Sequence, residues 1–326
     1  MTGENALLEA ALSRYDLRSP VAKMIRHSEN RTYRVEAGNS RYALRIHVPA
    51  EGFRASLFAA GEPAAARVAG ELELLSRLSE EGEVPVQSPI RGRDGALAQS
   101  LADGAPVSLL TWLDGETVEE AGELTPPICA ETGRTLARLH AALSRHGADP
   151  RIAGRTRYDA SALPILSGRI DAAEGAGVID RRRADSMRAA IREIGVRFAE
   201  LDAASAPRLV HADFGRGNAI LLPDGRIAPI DFGLRGLAHP EMDLGGVYGL
   251  GEADGARRMI LDAYARESER PADPRSVEPY HALNILLFVA SRYERAAGWD
   301  WFPGKLSEWA ERVFKPLAEG RRFLAM

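Results

Sequence analysis

Apolar residues return every three or four positions over most of the second half of the chain. The first third is built instead from short apolar runs broken by turn residues. Residues 1–20 place Leu7, Leu8, Ala11 and Leu12 on one side and end at Ser19-Pro20, the pattern of a short helix. Thr32 to Glu36 and Arg41 to Val48 have strand character and are joined through Gly38-Asn39-Ser40, which predicts a hairpin. Residues 63–80 carry Val68, Leu72, Leu75 and Leu78 on a helical stripe that Gly82 stops. Short β-like runs follow over 84–113, broken by Asp94-Gly95 and Asp103-Gly104 and closed by Asp114-Gly115. Helical spacing then covers 126–146, 180–201, 253–268, 276–296 and 303–323. Residues 207–234 interrupt it with strand, polar glycine-rich loop, strand, a turn at Pro223-Asp224-Gly225, and strand. The expected fold class is α+β. A small antiparallel-sheet lobe takes residues 1–107, a hinge residues 108–114, and a larger, mainly helical lobe residues 115–326.

Two positions in the first lobe stand out. Glu71 lies inside the apolar stripe of its helix, where a carboxylate must be paired or protonated unless it reaches out at the boundary. Arg45 sits in the strand Tyr42-Ala43-Leu44-Arg45-Ile46, and alternation alone leaves it on either face.

Composition narrows the function classes. The 326 residues carry a formal charge of −4 with no basic arm or acidic tail, so the electrostatic footprint of a nucleic-acid binder is missing. The longest apolar stretch, Ala282 to Ala290, is interrupted by Asn284 and too short to span a bilayer. No basic, apolar leader opens the sequence, and no membrane partner is expected. Cys129, the only cysteine, excludes an internal disulfide and a cysteine-based zinc cluster, and a reducing cytoplasm fits. Lys23, Lys305 and Lys315 are the only lysines, so chemistry that needs a central cation falls to arginine.

The chemistry concentrates in His211-Ala212-Asp213-Phe214-Gly215-Arg216-Gly217-Asn218, followed thirteen residues after Asn218 by Asp231-Phe232-Gly233. Asp213 follows the apolar run Arg208-Leu209-Val210, and Asp231 follows Ile227 to Ile230, so both carboxylates emerge at strand ends. Phosphoryl transfer needs a carboxylate to orient a hydroxyl and take its proton, and oxygen ligands for magnesium. Asn218 and Asp231 offer such oxygens. His-x-Asp-x4-Asn followed by Asp-Phe-Gly is similar to the catalytic and metal loops of protein kinases. The longer string HADFGRGNAILLPDGRIAPIDFG resembles more closely the aminoglycoside phosphotransferase and choline kinase superfamily, of protein-kinase-like fold. SENRTYRV, YALRIHV, the helix around Glu71 and GRTLARLH extend the resemblance over most of residues 25–250.

The resemblance implies an ATP- and Mg2+-dependent kinase acting on a hydroxyl of a small molecule such as an aminoglycoside, amino alcohol, homoserine or sugar. It makes Asp213 the catalytic base and Asn218 and Asp231 the metal ligands, with His211 and Asp243 organising the loops. Nucleotide contacts fall to Ser28 and Asn30 in the first turn, to Thr111 in the hinge, and to Arg45 and Glu71. The family commonly has a lysine where this chain has Arg45, whose guanidinium would bind phosphates and pair with Glu71.

A protein Ser/Thr kinase of the same superfamily and a catalytically weak nucleotide-binding regulator are the rival readings. The first lacks an evident Ala-Pro-Glu segment, and the second leaves three converging polar groups without a purpose. His140, on a face with Leu136, Leu139 and Leu143, reads as a hydrogen-bonded core histidine, and Arg181-Arg182-Arg183 as a solvated face. Trp299, Trp301 and Phe302 read as core or as part of an acceptor pocket, for which Asp114, Glu116 and Glu241 are acidic candidates.

Overall fold

A computed structural model describes residues 3–52, 54–247, 254–268 and 273–324. The first lobe begins with helix α1 (Gly3–Leu12) and strands β1 (Val21–His27), β2 (Arg31–Ala37) and β3 (Ser40–Ile46). Helix α2 (Ala64–Glu81) and strands β4 (Gln99–Ser100) and β5 (Pro106–Thr111) complete it. The strands form one antiparallel sheet in the order β1-β2-β3-β5-β4. β6 (Glu116–Thr117) leads into helices α3 (Pro126–His146), α4 (Pro150–Ala153), α5 (Leu163–Gly175) and α6 (Arg181–Ala204). Strands β7 (Arg208–Val210), β8 (Ala219–Leu221), β9 (Ile227–Pro229) and β10 (Gly236–Ala238) carry the motif region. Helices α7 (Glu241–Val247), α8 (Asp254–Ser268), α9 (Pro274–Ala296), α10 (Phe302–Trp309) and α11 (Lys315–Ala318) close the chain.

The central strands β3 and β5 of the small sheet are buried on both faces, which decides where Arg45 points. Leu44 and Ile46 pack with Tyr33, Val107 and Leu109 against Ala11 and Tyr15, while Ala43 packs toward Val68 and Leu72 of α2. Residue 45 therefore shares the α2 side with Ala43 and is 5% exposed.

Helix 1–20 is shorter than its pattern suggested. It ends at Leu12, and Tyr15 turns under the sheet, where its hydroxyl donates to the Val107 carbonyl at 3.3 Å. The helix expected over 303–323 is two short helices around a π-helical turn at Ala310–Phe314, with α11 stopping at Ala318. β1, α5 and α7 were not anticipated. β1 is mostly exposed and alternates poorly, and α5 lacks a sustained apolar stripe.

Two close approaches tie the lobes together. A Cβ on Gly70 of α2 would lie 2.1 Å from the Arg151 carbonyl of α4, so only glycine permits this packing. Buried Arg235 donates from Nε to the Ile152 carbonyl at 2.8 Å and from Nη2 to the Arg67 carbonyl at 3.1 Å, clamping α2 to α4.

Candidate active site

The loop after β7 is set by a buried carboxylate. Asp243 of α7 accepts the His211 N–H at 2.9 Å, the Ala212 N–H at 2.6 Å, and His140 Nε2 at 3.0 Å. Burial would raise the Asp243 pKa, but these donors and the two histidines hold it below the usual carboxylate range. His140 is thus a hydrogen-bonded core residue, its Nδ1 being 3.0 Å from the Tyr264 hydroxyl. His211 Nε2 donates to the Ile230 carbonyl at 3.1 Å, which leaves Nδ1 to accept the Asp213 N–H at 3.3 Å. Between them Ala212 takes φ 66°, a left-handed conformation that costs an L-residue about 1 kcal/mol or more. The loop is held in this shape by the two N–H bonds to Asp243, and its outcome is to present Asp213 to the cleft.

The β8–β9 hairpin does the rest. Ala219 pairs with Pro229 and the Ile230 N–H donates to the Asn218 carbonyl at 3.0 Å, so Asn218 and Asp231 lie side by side at its open end. Asn218 Nδ2 donates to the Asp213 carboxylate at 2.7 Å and to the Asp213 carbonyl at 2.9 Å, turning its amide oxygen the other way. Asp231 also adopts the left-handed region, φ 67°.

Arg45 Nη1 lies 3.1 Å from Glu71 Oε1 and 3.5 Å from Asp231 Oδ1, and its Nη2 donates to Gln87 at 3.4 Å. Arg26 of β1 reaches Asp231 Oδ2 at 3.4 Å. Burial pushes Glu71 up despite Arg45, whereas Arg45 and Arg26 outweigh burial at Asp231 and hold it low. Asp213 opens onto the cleft but is enclosed by protein on its other sides. That desolvation, followed by repulsion from Asp231, raises its pKa to about 7.

The fit of a cation can be read from one atom. Asp231 Oδ1 is buried and accepts no hydrogen bond, meeting Arg45 only as an ion pair at 3.5 Å, and a hard cation beside the Asn218 amide oxygen would satisfy it. Among the described residues no group of three or more His, Cys, Asp or Glu forms a metal cage. Two protein oxygens suit magnesium, which keeps its other positions for phosphate and water.

Of the residues singled out in the sequence, Arg45, Glu71, Asp213, Asn218 and Asp231 converge. A cleft of about 580 Å³ runs from Arg45 and Asp231 past Ile25, Ala43, Gln87 and Trp112. Ser28 and Asn30 make the turn between β1 and β2, the Ser28 N–H donating to the Asn30 carbonyl at 3.2 Å; Asn30 borders a second recess beside Glu71. Thr111 stands behind the cleft, its hydroxyl accepting the Ser88 N–H at 2.9 Å. Asp114 pairs with Arg41 at 2.6 Å, and neither it nor Glu116 or Glu241 borders the cavity at Asp213. Trp299 stacks on Trp301 at 5.3 Å beside Phe288, which does border it. Arg26, Glu29, Gln87 and Arg292 were not picked out as site residues. Arg26 lies in the unanticipated strand, and Arg292 belongs to a helix whose spacing marks only its buried side.

Residues 22–280 match the phosphotransferase enzyme family. The chain belongs to this family. Its fold resembles that of a microcompartment-associated aminopropanol kinase, with a TM-score of 0.76 at 22% identity over 98% of this chain and 100% of the other. A spectinomycin phosphotransferase solved with ADP and spectinomycin gives a TM-score of 0.64 at 14% identity, covering 97% of this chain and 96% of that one. A homoserine kinase of Rhodospirillum rubrum is 31% identical over 160 residues, 46% of this chain and 43% of that protein. At these identities the solved structures speak for the fold, which is the two-lobed kinase-like one. The family's chemistry is transfer of a phosphoryl group to a hydroxyl. Among the described residues no helix is long and apolar enough to cross a membrane.

Proposed function

We propose that this phosphotransferase uses ATP and Mg2+ to phosphorylate a hydroxyl of a small molecule, with Asp213 as the base. The observation that carries the reading is the triangle of Asp213, Asn218 and Asp231, bound at 2.7 Å between the first two and flanked by the Arg45–Glu71 pair. The nucleotide base occupies the cleft lined by Ile25, Ala43 and Trp112, with its phosphates toward Arg45. Arg45 takes the place of the usual lysine, and its link to Glu71 at 3.1 Å keeps the guanidinium aimed at the phosphates. Magnesium held by Asn218 and Asp231 would supply neutralisation of phosphate charge.

Asp213 orients the acceptor hydroxyl and receives its proton as the oxygen attacks. A pKa near 7 suits that transfer at neutral pH. Asn218 fixes the Asp213 carboxylate through its amide N–H, and the Asp243 bonds to the loop backbone hold both in register. The hinge at 108–114 and the lobe boundaries that go with it belong to this reading. So does a cytoplasmic setting, supported by nucleotide use and a single cysteine. The cavity beside Asp213 is small, about 240 Å³, which favours a metabolite over a protein chain.

The test is turnover by Asp213→Asn, followed as acceptor-dependent ADP release. A fall of about 100-fold to 10,000-fold with nucleotide affinity kept is the expected result. Wild-type turnover in that variant would remove Asp213 from the role.

A further inference from the structure

Strand β1 carries a one-residue irregularity where it borders the cleft. Ala22 lies opposite Val35 and Met24 opposite Tyr33, but the next pair is Arg26 with Thr32, so Ile25 is an extra residue, a β-bulge. Val35 and Tyr33 pack on the α1 side of the sheet, which places Ala22 and Met24 on that side too. Unbroken alternation would send residue 26 the same way. The bulge turns it over. Thr32 lies opposite Arg45 of β3, so Arg26, Thr32 and Arg45 form a cross-strand row on the face that borders the cleft.

The two arginines of that row are held differently. Arg45 is buried, and its Nη1 meets both Glu71 and Asp231. The Arg26 side chain is 56% exposed, and its contact is a long one, from Nη2 to Asp231 Oδ2 at 3.4 Å. An exposed pair of that kind holds weakly, so the guanidinium can exchange Asp231 for a better anion without a change of fold. Its charge reaches both carboxylates of the proposed reaction. Desolvation raises Asp213 to about 7, with Arg26 among the charges that temper the rise, and burial at Asp231 is outweighed by Arg45 and then Arg26. Burial, followed by Asp231 and Asp213, also pushes the Glu29 carboxyl well up, a sign of how much negative charge this corner gathers. A triphosphate entering it needs a cation that can move onto it.

Resting on the phosphotransferase reading of this site, we infer that Arg26 is a nucleotide-binding residue that leaves Asp231 to grip the terminal phosphate of the triphosphate. Arg26 gives up Asp231 to a metal cation that takes the same carboxylate, and it is released beside the arriving phosphates, which offer its guanidinium a bidentate partner. The bulge at Ile25 is what aims it there.

Calorimetry with Mg-ADP and with the magnesium complex of AMP-PNP, a non-hydrolysable triphosphate, reads the contact. Arg26→Ala should weaken AMP-PNP binding about 10-fold to 100-fold and ADP binding by less than about 3-fold, and Arg26→Lys should recover part of the loss. Lys23→Ala removes the same charge from the same strand at a position that does not border the cleft, and should leave both affinities unchanged. Mn2+ titrated without nucleotide, followed by the EPR signal of the free ion, should bind Arg26→Ala about 2-fold to 5-fold more tightly than the wild type, because the competing guanidinium is gone. Unchanged thermal midpoints establish that the variants are folded. The proposal is overturned if Arg26→Ala binds AMP-PNP as the wild type does, if it weakens ADP to the same extent, if Lys23→Ala has the same effect, or if Mn2+ binds both proteins alike. A wild type that binds neither nucleotide would sink the phosphotransferase reading along with it, whereas nucleotide binding and turnover shared equally by wild type and Arg26→Ala would sink the Arg26 contact alone.

Discussion

Ala212 is one of two residues of the site, with Asp231, held in a left-handed backbone conformation. Its left-handed conformation is imposed by Asp243, which takes the N–H groups of residues 211 and 212 together, and a bulkier side chain there would meet the same dihedral with more steric opposition. Ala212→Val is expected to lower stability by more than about 1 kcal/mol, whereas Ala212→Gly should be neutral or stabilising by up to about 1 kcal/mol. Chemical denaturation of the two variants reads the difference, and equal midpoints would remove the strain argument. The string from His211 to Gly233 pointed to Asp213, Asn218 and Asp231 because the two carboxylates follow apolar strands and Asn218 directly precedes one. The face chosen by Arg45 was not legible there. It depends on α1 and α2 covering opposite sides of the sheet, which no spacing within β3 reveals.

At the scale of elements, helix pairs meet where glycine allows it. Gly70 lies against the Arg151 carbonyl and 2.5 Å, measured from a Cβ position, from Arg235 Nη2; Gly133 of α3 approaches the Ile260 carbonyl of α8 at 2.2 Å by the same measure. Gly70→Ala must part α2 from α4 and should cost about 1–3 kcal/mol, measurable as a lower denaturant midpoint. Because α2 also carries Glu71, the folded fraction should turn over more slowly. An unchanged midpoint would mean that the backbone absorbs the methyl group without moving the helix. The elements with sustained patterns, α2, α3, α6 and α9, were legible within a few residues. β1 was not, because an edge strand with Lys23, Arg26 and His27 on it owes its pairing to β2 rather than to its own alternation.

Across the whole molecule, half-buried imidazoles set a response to acid. Burial lowers His47 to about 3, with Arg45 adding to the effect, and lowers His281 to about 4 against a bond to the Gly245 carbonyl. Both lie below the ordinary value near 6.5, so between pH 6.5 and 4 the unfolded chain binds more protons at these positions than the folded one. Their contribution is present above about pH 6.5 and is lost as the pH falls toward 4. Asp213, raised from 3.8 to about 7 chiefly by desolvation, has the opposite sign over the whole of that range. Comparing His281→Gln with the wild type isolates one group: the variant should lose less stability over the window, and parallel pH curves would contradict the assignment. The clamp of Arg235 on Arg67 and Ile152 has a consequence for control. Kinases that are switched off commonly do so by swinging the helix that carries the glutamate, and here that helix is fastened to the other lobe with its ion pair already made. With the helix held and its ion pair made, output should follow the supply of acceptor and nucleotide like an open tap.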